Sequence, residues 1–154
     1  MVIEKTNQLN TFQKKEILKI WNHEYPNSLV HKTIKDFEAY LDGLGNLEHF
    51  VIKLDHQISG WLSTYIKDSK KWFVIIIKSE HQRKGIASQL IEMVTQHTTE
   101  LYGWVIDTDN YVKQNGEKYK SPIKFYKKLG FKVTNDRLEN KKISAVKIKW
   151  EVSV

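Results

Sequence analysis

The 154-residue chain contains no cysteine. That absence excludes disulfides, thiolate zinc sites and a cysteine nucleophile together. Proline is nearly as scarce, with two residues, and no Pro-rich linker, Gly/Ser tract or repeat divides the chain, so a single domain over residues 1–154 is expected. Long apolar runs are missing too. The longest, Trp72 to Ile77, falls far short of the roughly 20 residues needed to span a bilayer. The opening Met1-Val2-Ile3-Glu4-Lys5 lacks a signal-peptide layout, and a cytoplasmic protein with no membrane partner is expected. What remains, 40% hydrophobic and 28% charged residues, is the composition of a globular protein.

The net charge is +7, which favours an anionic partner: nucleic acid, a phosphorylated cofactor or an acidic substrate. Between Lys113 and Lys128 the lysines are dense, with Glu117 the only acid; a solvated surface is the plain alternative there. The histidines, His23, His31, His49, His56, His81 and His97, are scattered without metal-ligand spacing, and His23-Glu24 lacks the second histidine of a zinc helix. No metal is expected.

Periodicity orders the chain. Val2 to Lys5 suits a first strand, and Phe12, Ile17, Leu18 and Trp21 fall at helical spacing before Pro26. A second helix starts at Thr33 as cap and carries Ile34, Phe37 and Leu41 on one stripe. His49–Leu54 and Ile58–Ile66 read as an antiparallel pair, and Lys71–Lys78, apolar on both faces, as a central strand. Ile86, Leu90, Ile91 and Val94 mark an amphipathic helix; Gly103–Asp107 follows as a short fifth strand, which implies a parallel crossover. Ser121-Pro122 caps a brief helix stopped by Gly130, and Phe131–Val133 with Ile143–Trp150 closes the sheet as an antiparallel pair.

The segment Gln82-Arg83-Lys84-Gly85-Ile86-Ala87-Ser88 joins the buried strand to a helix. Free amides at a helix start, together with the helix dipole, bind phosphate, and Arg83 and Lys84 add fixed positive charge. Two other phosphate loops are excluded, because no Gly-x-x-x-x-Gly-Lys-Ser/Thr is present and the one Gly-x-Gly, at Gly43 and Gly45, follows a helix.

This turn after a central strand, followed by Phe125-Tyr126-Lys127-Lys128-Leu129-Gly130-Phe131, resembles the GNAT family of acyl-CoA-dependent N-acyltransferases, and the order of elements is similar over nearly the whole chain. The resemblance implies an α+β fold: a mixed, mostly antiparallel sheet of about seven strands flanked by about four helices. It implies acetyl-CoA as acyl donor, with the pantetheine arm lying along main-chain groups of Ile75 and Ile77 and the pyrophosphate held by Gln82, Arg83, Lys84, Gly85, Ile86, Ala87 and Ser88. Tyr126 takes the position of the family's general acid, placed to protonate the departing thiolate. The chain departs from the pattern at Tyr119, where many members have asparagine, and in its long 108–120 loop.

The acceptor implied is a primary amine on a small molecule or peptide, and an ammonium must lose a proton before it attacks. Asp107, then Asp109 and Glu80, are the carboxylate candidates for that base. Trp61 and Trp104 either line the acceptor pocket or belong to the core. Two other readings stand beside the enzyme: a non-catalytic acyl-CoA-binding module of the same fold, and nucleic-acid binding through the positive charge, which lacks a recognised motif. Nucleic acid is not the expected partner, and a monomer or a homodimer fits equally.

Overall fold

Asn10 starts the first helix by reciprocal capping: its side-chain oxygen accepts from Gln13 N–H at 2.8 Å while Gln13 Oε1 accepts from Asn10 N–H at 2.9 Å. The computed structural model, which describes residues 1–153, continues this helix, α1, over Thr11–Glu24. Helix α2 (Ile34–Asp42) is capped by Thr33, whose Oγ1 accepts from Asp36 N–H. Helices α3 (Ile86–Thr95) and α4 (Ile123–Lys128) complete the set, with single 3₁₀ turns at Asn27–Leu29 and Ser79–His81. No helix of the described residues is long and apolar enough to cross a membrane.

The strands are β1 (Val2–Thr6), β2 (Gly45–Leu54), β3 (Gln57–Lys67), β4 (Lys70–Ile77), β5 (Glu100–Val105), β6 (Lys132–Glu139) and β7 (Ser144–Glu151). They form one seven-stranded sheet in the order β1-β2-β3-β4-β5-β7-β6, antiparallel except between β4 and β5. Two-residue turns with positive φ at both positions, Asp55-His56 and Asp68-Ser69, set the β2–β3 and β3–β4 registers, since that backbone twist matches paired strands.

Because β4 is central, alternate residues feed two cores. Phe73 and Ile77 pack with Leu90, Leu101, Tyr126 and Ile148 under α3 and α4. Ile76 packs with Ile17, Trp21, Phe37 and Trp61 under α1 and α2. Trp61 is fully buried there, so the core takes this tryptophan rather than an acceptor pocket.

Several boundaries differ from the sequence reading, and strand β2 starts at Gly45 rather than His49. Strand β5 starts at Glu100 rather than Gly103 and ends at Val105, so Asp107 lies past it; the polar stretch Gln96–Glu100 hides the start. Strand β6 runs on to Glu139 although only its beginning is apolar, because an edge strand faces water with charged side chains. Helix α4 begins at Ile123, and Ser121 serves it from one residue further out, its Oγ accepting from Ile123 N–H and donating to Ile106 O.

One polar pair sits inside the α1/α2 core. His49, 2% exposed, accepts a hydrogen bond from Trp61 Nε1 at its Nδ1, 3.1 Å away, so the ring is neutral with its proton on Nε2. Burial pushes its pKa down to about 4. The unfolded chain therefore binds the extra proton first, and stability is full above about pH 6.5 and declines as pH falls toward 4. Urea unfolding at pH 7 and pH 4.5 should show wild type losing on the order of 2 kcal/mol from this residue, and His49→Gln should remove that part of the slope.

Candidate active site at the parting of two strands

Strands β4 and β5 share one backbone pair, Trp72 with Tyr102. Side chains hold that pair on both faces. On the α3/α4 face the ring of Phe73 covers Gly103, where a Cβ would lie 2.7 Å from Phe73 Cε1. On the other face Trp72 stacks on Trp104, ring centroids 5.4 Å apart. Past this point β4 has no neighbour on its β5 side, and Val74 and Ile75, mid-strand in the centre of the sheet, are only half-buried.

The main-chain groups of Ile75 and Ile77 belong to this open side. Lys78 N–H donates across to Ser59 O on β3, whereas Ile75 O accepts from Tyr25 Oη at 3.2 Å and Ile77 O from Gln82 Nε2 at 2.8 Å. Side chains have thus taken the two carbonyls.

At the end of β4 the chain turns into α3. Backbone hydrogen bonding stops at Gln82 N–H, which donates to Ser79 O, and resumes at Gln89 N–H, which donates to Gly85 O. The amides of residues 83–88 between them are free, and they lie at the positive end of the α3 dipole. Gly85 caps the helix at φ +81°, the left-handed region that favours glycine, and Arg83 shares a positive φ of 62°. Arg83, Lys84 and Gly85 are exposed, Ala87 and Ser88 half-buried, and Ile86 anchors the helix in the core. Gln82 turns inward to the strand end.

What holds the turn is Glu24, a residue that sequence reasoning missed. This carboxylate ends α1, is 7% exposed, and accepts from Ser79 N–H at 2.9 Å and Ser79 Oγ at 2.6 Å. Gln82 Nε2 and Lys113 Nζ reach it at 3.4 Å, and His23 Nδ1 at 3.1 Å. Burial raises its pKa, but the hydrogen bonds from Ser79 and His23 and the charge of Lys113 outweigh burial and leave the carboxyl below its ordinary value. No spacing in the sequence links residues 24, 79 and 113; only the fold does.

Tyr126 lies on the other side of the opening. Its ring meets Phe73, Phe125 and Phe131 at centroid distances of 5.6, 5.2 and 5.5 Å. Its hydroxyl makes no hydrogen bond among the described residues and is not sealed from solvent. Burial, then the neighbouring Tyr119, push its pKa up, and burial alone pushes Tyr119 up to about 12.

Asp107 is not free. Arg137 Nη1 and Nη2 donate to its two oxygens at 2.9 and 3.1 Å, and those bonds hold its carboxyl below the usual value. Asp109 is likewise engaged, accepting from Ser121 N–H. The 108–120 loop is pinned at both flanks: Asn27 N–H donates to Val112 O, Lys113 pairs with Glu24, and Tyr111 Oη accepts from Ser144 N–H.

The central part of the chain, residues 45–133, matches the family model described as an acetyltransferase (GNAT) domain. The chain belongs to the GNAT family. The matched span holds the strand opening, the 82–88 turn and Tyr126, whereas Glu24 and Tyr25 precede it. The GNAT fold also extends over the whole chain in similar solved structures. An aminoglycoside 6'-N-acetyltransferase complexed with coenzyme A has a TM-score of 0.70 at 13% identity, over 98% of this chain and 97% of that one. The aminoglycoside 6'-N-acetyltransferase of Enterococcus faecium gives 0.68 at 14%, over 98% and 97%. A ribosomal-protein-alanine N-acetyltransferase from Brucella melitensis gives 0.63 at 12%, over 99% and 100%. Comparison with curated proteins gives no match.

Removing the Glu24 carboxylate leaves a buried amide and Lys113 unpaired, so Glu24→Ala should cost about 2–4 kcal/mol at pH 7 in thermal or urea unfolding. A depressed carboxyl contributes fully above its unfolded value, here 4.5, and loses that contribution as pH falls through the folded value. Wild type and Glu24→Gln should therefore converge in stability below pH 4.5.

Proposed function

We propose that the protein transfers an acetyl group from acetyl-CoA to a primary amine by direct attack in a ternary complex. The observation that supports this reading is the opening beside β4, which adjoins six free amides at the start of α3. The residues present suit an acyl-CoA. A pantetheine arm is an extended chain with amide groups, and the N–H groups of Ile75 and Ile77 can bond its carbonyls as an added strand does. The two strand carbonyls stay with Tyr25 and Gln82, so the pairing expected from the sequence is kept for the donors only. A pyrophosphate needs convergent N–H groups and positive charge, which residues 83–88 supply through main chain and through Arg83 and Lys84.

When bound, acetyl-CoA supplies an activated thioester for attack by the amine. The role of Tyr126 is to hold a proton for the departing sulfur. Its raised pKa keeps the phenol protonated at neutral pH, and its hydroxyl has no competing partner. Asp107 is not carried forward as the base, because a carboxylate bound bidentately by Arg137 accepts protons poorly. Glu24 is excluded on the same ground, and the ammonium proton passes to water.

CoA binds only the native state in this reading, so at a hundredfold excess over its Kd it should stabilise the fold by about 2.7 kcal/mol, visible as a rise in Tm. A Cβ at Gly85 meets nothing within 4 Å in the free protein. Gly85→Val should therefore fold with only the left-handed backbone penalty of about 1–2 kcal/mol and yet lose the CoA-induced shift. A full shift in this variant would remove the turn from the site.

Tyr126→Phe keeps the ring packing and should bind CoA as wild type does. Its kcat, followed by thiol release with an accepted amine, should fall by about 10² to 10⁴. Equal rates would make Tyr126 structural.

A further inference from the structure

The cleft carries a second group of residues that an acyl donor does not use, and they bear on the acceptor; the inference rests on the acetyltransferase reading above. On the α1/α2 face, aromatic rings line up across three neighbouring strands. Tyr65 of β3 stacks on Trp72 of β4 with centroids 6.5 Å apart and planes at 14°, and Trp72 stacks on Trp104 of β5 at 5.4 Å and 26°. Tyr65 and Trp104 are only half-buried. Trp72 is 6% exposed, and its indole N–H is buried with no partner among the described residues. Buried indoles ordinarily find an acceptor, so an unpaired one beside a reaction cleft marks a place for a ligand atom.

The charges at the rim exclude one class of amine. A polycationic acceptor needs several free carboxylates to replace its hydration. Of the acids beside the cleft, Glu24 is engaged with Ser79 and Lys113, Asp107 with Arg137, and Asp109 with the Ser121 amide, which leaves the exposed Glu80 of the turn after β4 as a single carboxylate. The wall beside them is aromatic. An aromatic ring stacks on such a wall, and a single ammonium tolerates it through cation–π attraction.

We propose that the acceptor is an aromatic monoamine whose ring lies against the Tyr65–Trp72–Trp104 row, with a ring oxygen accepting the Trp72 N–H. Aminoglycosides and polyamines are then poor acceptors for this protein.

Tryptophan fluorescence titrations with tyramine, 2-phenylethylamine, kanamycin and spermidine, with and without CoA, test the proposal. Tyramine should bind tightest, about tenfold better than 2-phenylethylamine, which lacks the oxygen. Trp72→Phe, which keeps a ring and removes the N–H, should erase that difference. Tyr65→Leu should weaken both aromatic amines about tenfold while CoA affinity holds within about twofold. In turnover the same ranking should appear in kcat/KM. Tighter binding of kanamycin or spermidine, or aromatic binding indifferent to both variants, would overturn the proposal. Failure of CoA itself to bind would remove the acetyltransferase reading, whereas the titrations without CoA judge the aromatic row separately.

Discussion

Two parallel strands that share a single backbone pair and then separate govern the rest of this molecule. A central strand that loses its neighbour leaves carbonyls and amides that a buried sheet cannot abandon. Here Tyr25 and Gln82 take the carbonyls of Ile75 and Ile77, so the end of α1 and the start of the α3 turn must both reach the gap. Glu24 secures that reach, because it holds Ser79 from one side and Lys113 from the other. The opening is therefore a built feature: Phe73 over Gly103 and Trp72 on Trp104 close the sheet on one side of it, and a buried carboxylate network closes the other.

Most of the fold was legible because its signals are local. The cap at Thr33, the runs of β3 and β4, and the stripe of α3 each depend on residues close in sequence, and the structure places those elements as read to within a residue. The turn at 82–88 was legible for the same reason, since a glycine-bearing link from a buried strand to an amphipathic helix has few other shapes. Illegible were the features that join distant residues. Asp107 reads as a free carboxylate at a strand end until Arg137, thirty positions on, is folded against it. Glu24 reads as a surface residue beside His23 until Ser79 and Lys113 arrive. Strand β6 escaped because an edge strand need not alternate, and Lys132–Glu139 spends most of its length in solvent.

The positive charge of the chain now has a division of labour. Lys113 is drawn into the Glu24 network, and with the Asn27–Val112 and Tyr111–Ser144 bonds it makes the long loop a strap from the end of α1 to the start of β7 rather than a loose excursion. Lys118, Lys120, Lys124, Lys127 and Lys128 are exposed, as a solvated lysine surface requires. Arg83 and Lys84 stand on the turn, where their charge adds to that of the helix dipole. The positive balance is thus spread over a solvated surface, and only Arg83 and Lys84 bring part of it to the start of α3.

The proposed binding surface for CoA is the main chain of β4 and of the α3 turn. Residue-resolved amide hydrogen exchange with and without CoA reads that surface directly. Protection should rise at Ile75, at Ile77 and through residues 83–88, and change little at the amides of β1 and β6. Unchanged exchange at those amides while CoA is bound, or protection gathered elsewhere, would contradict it.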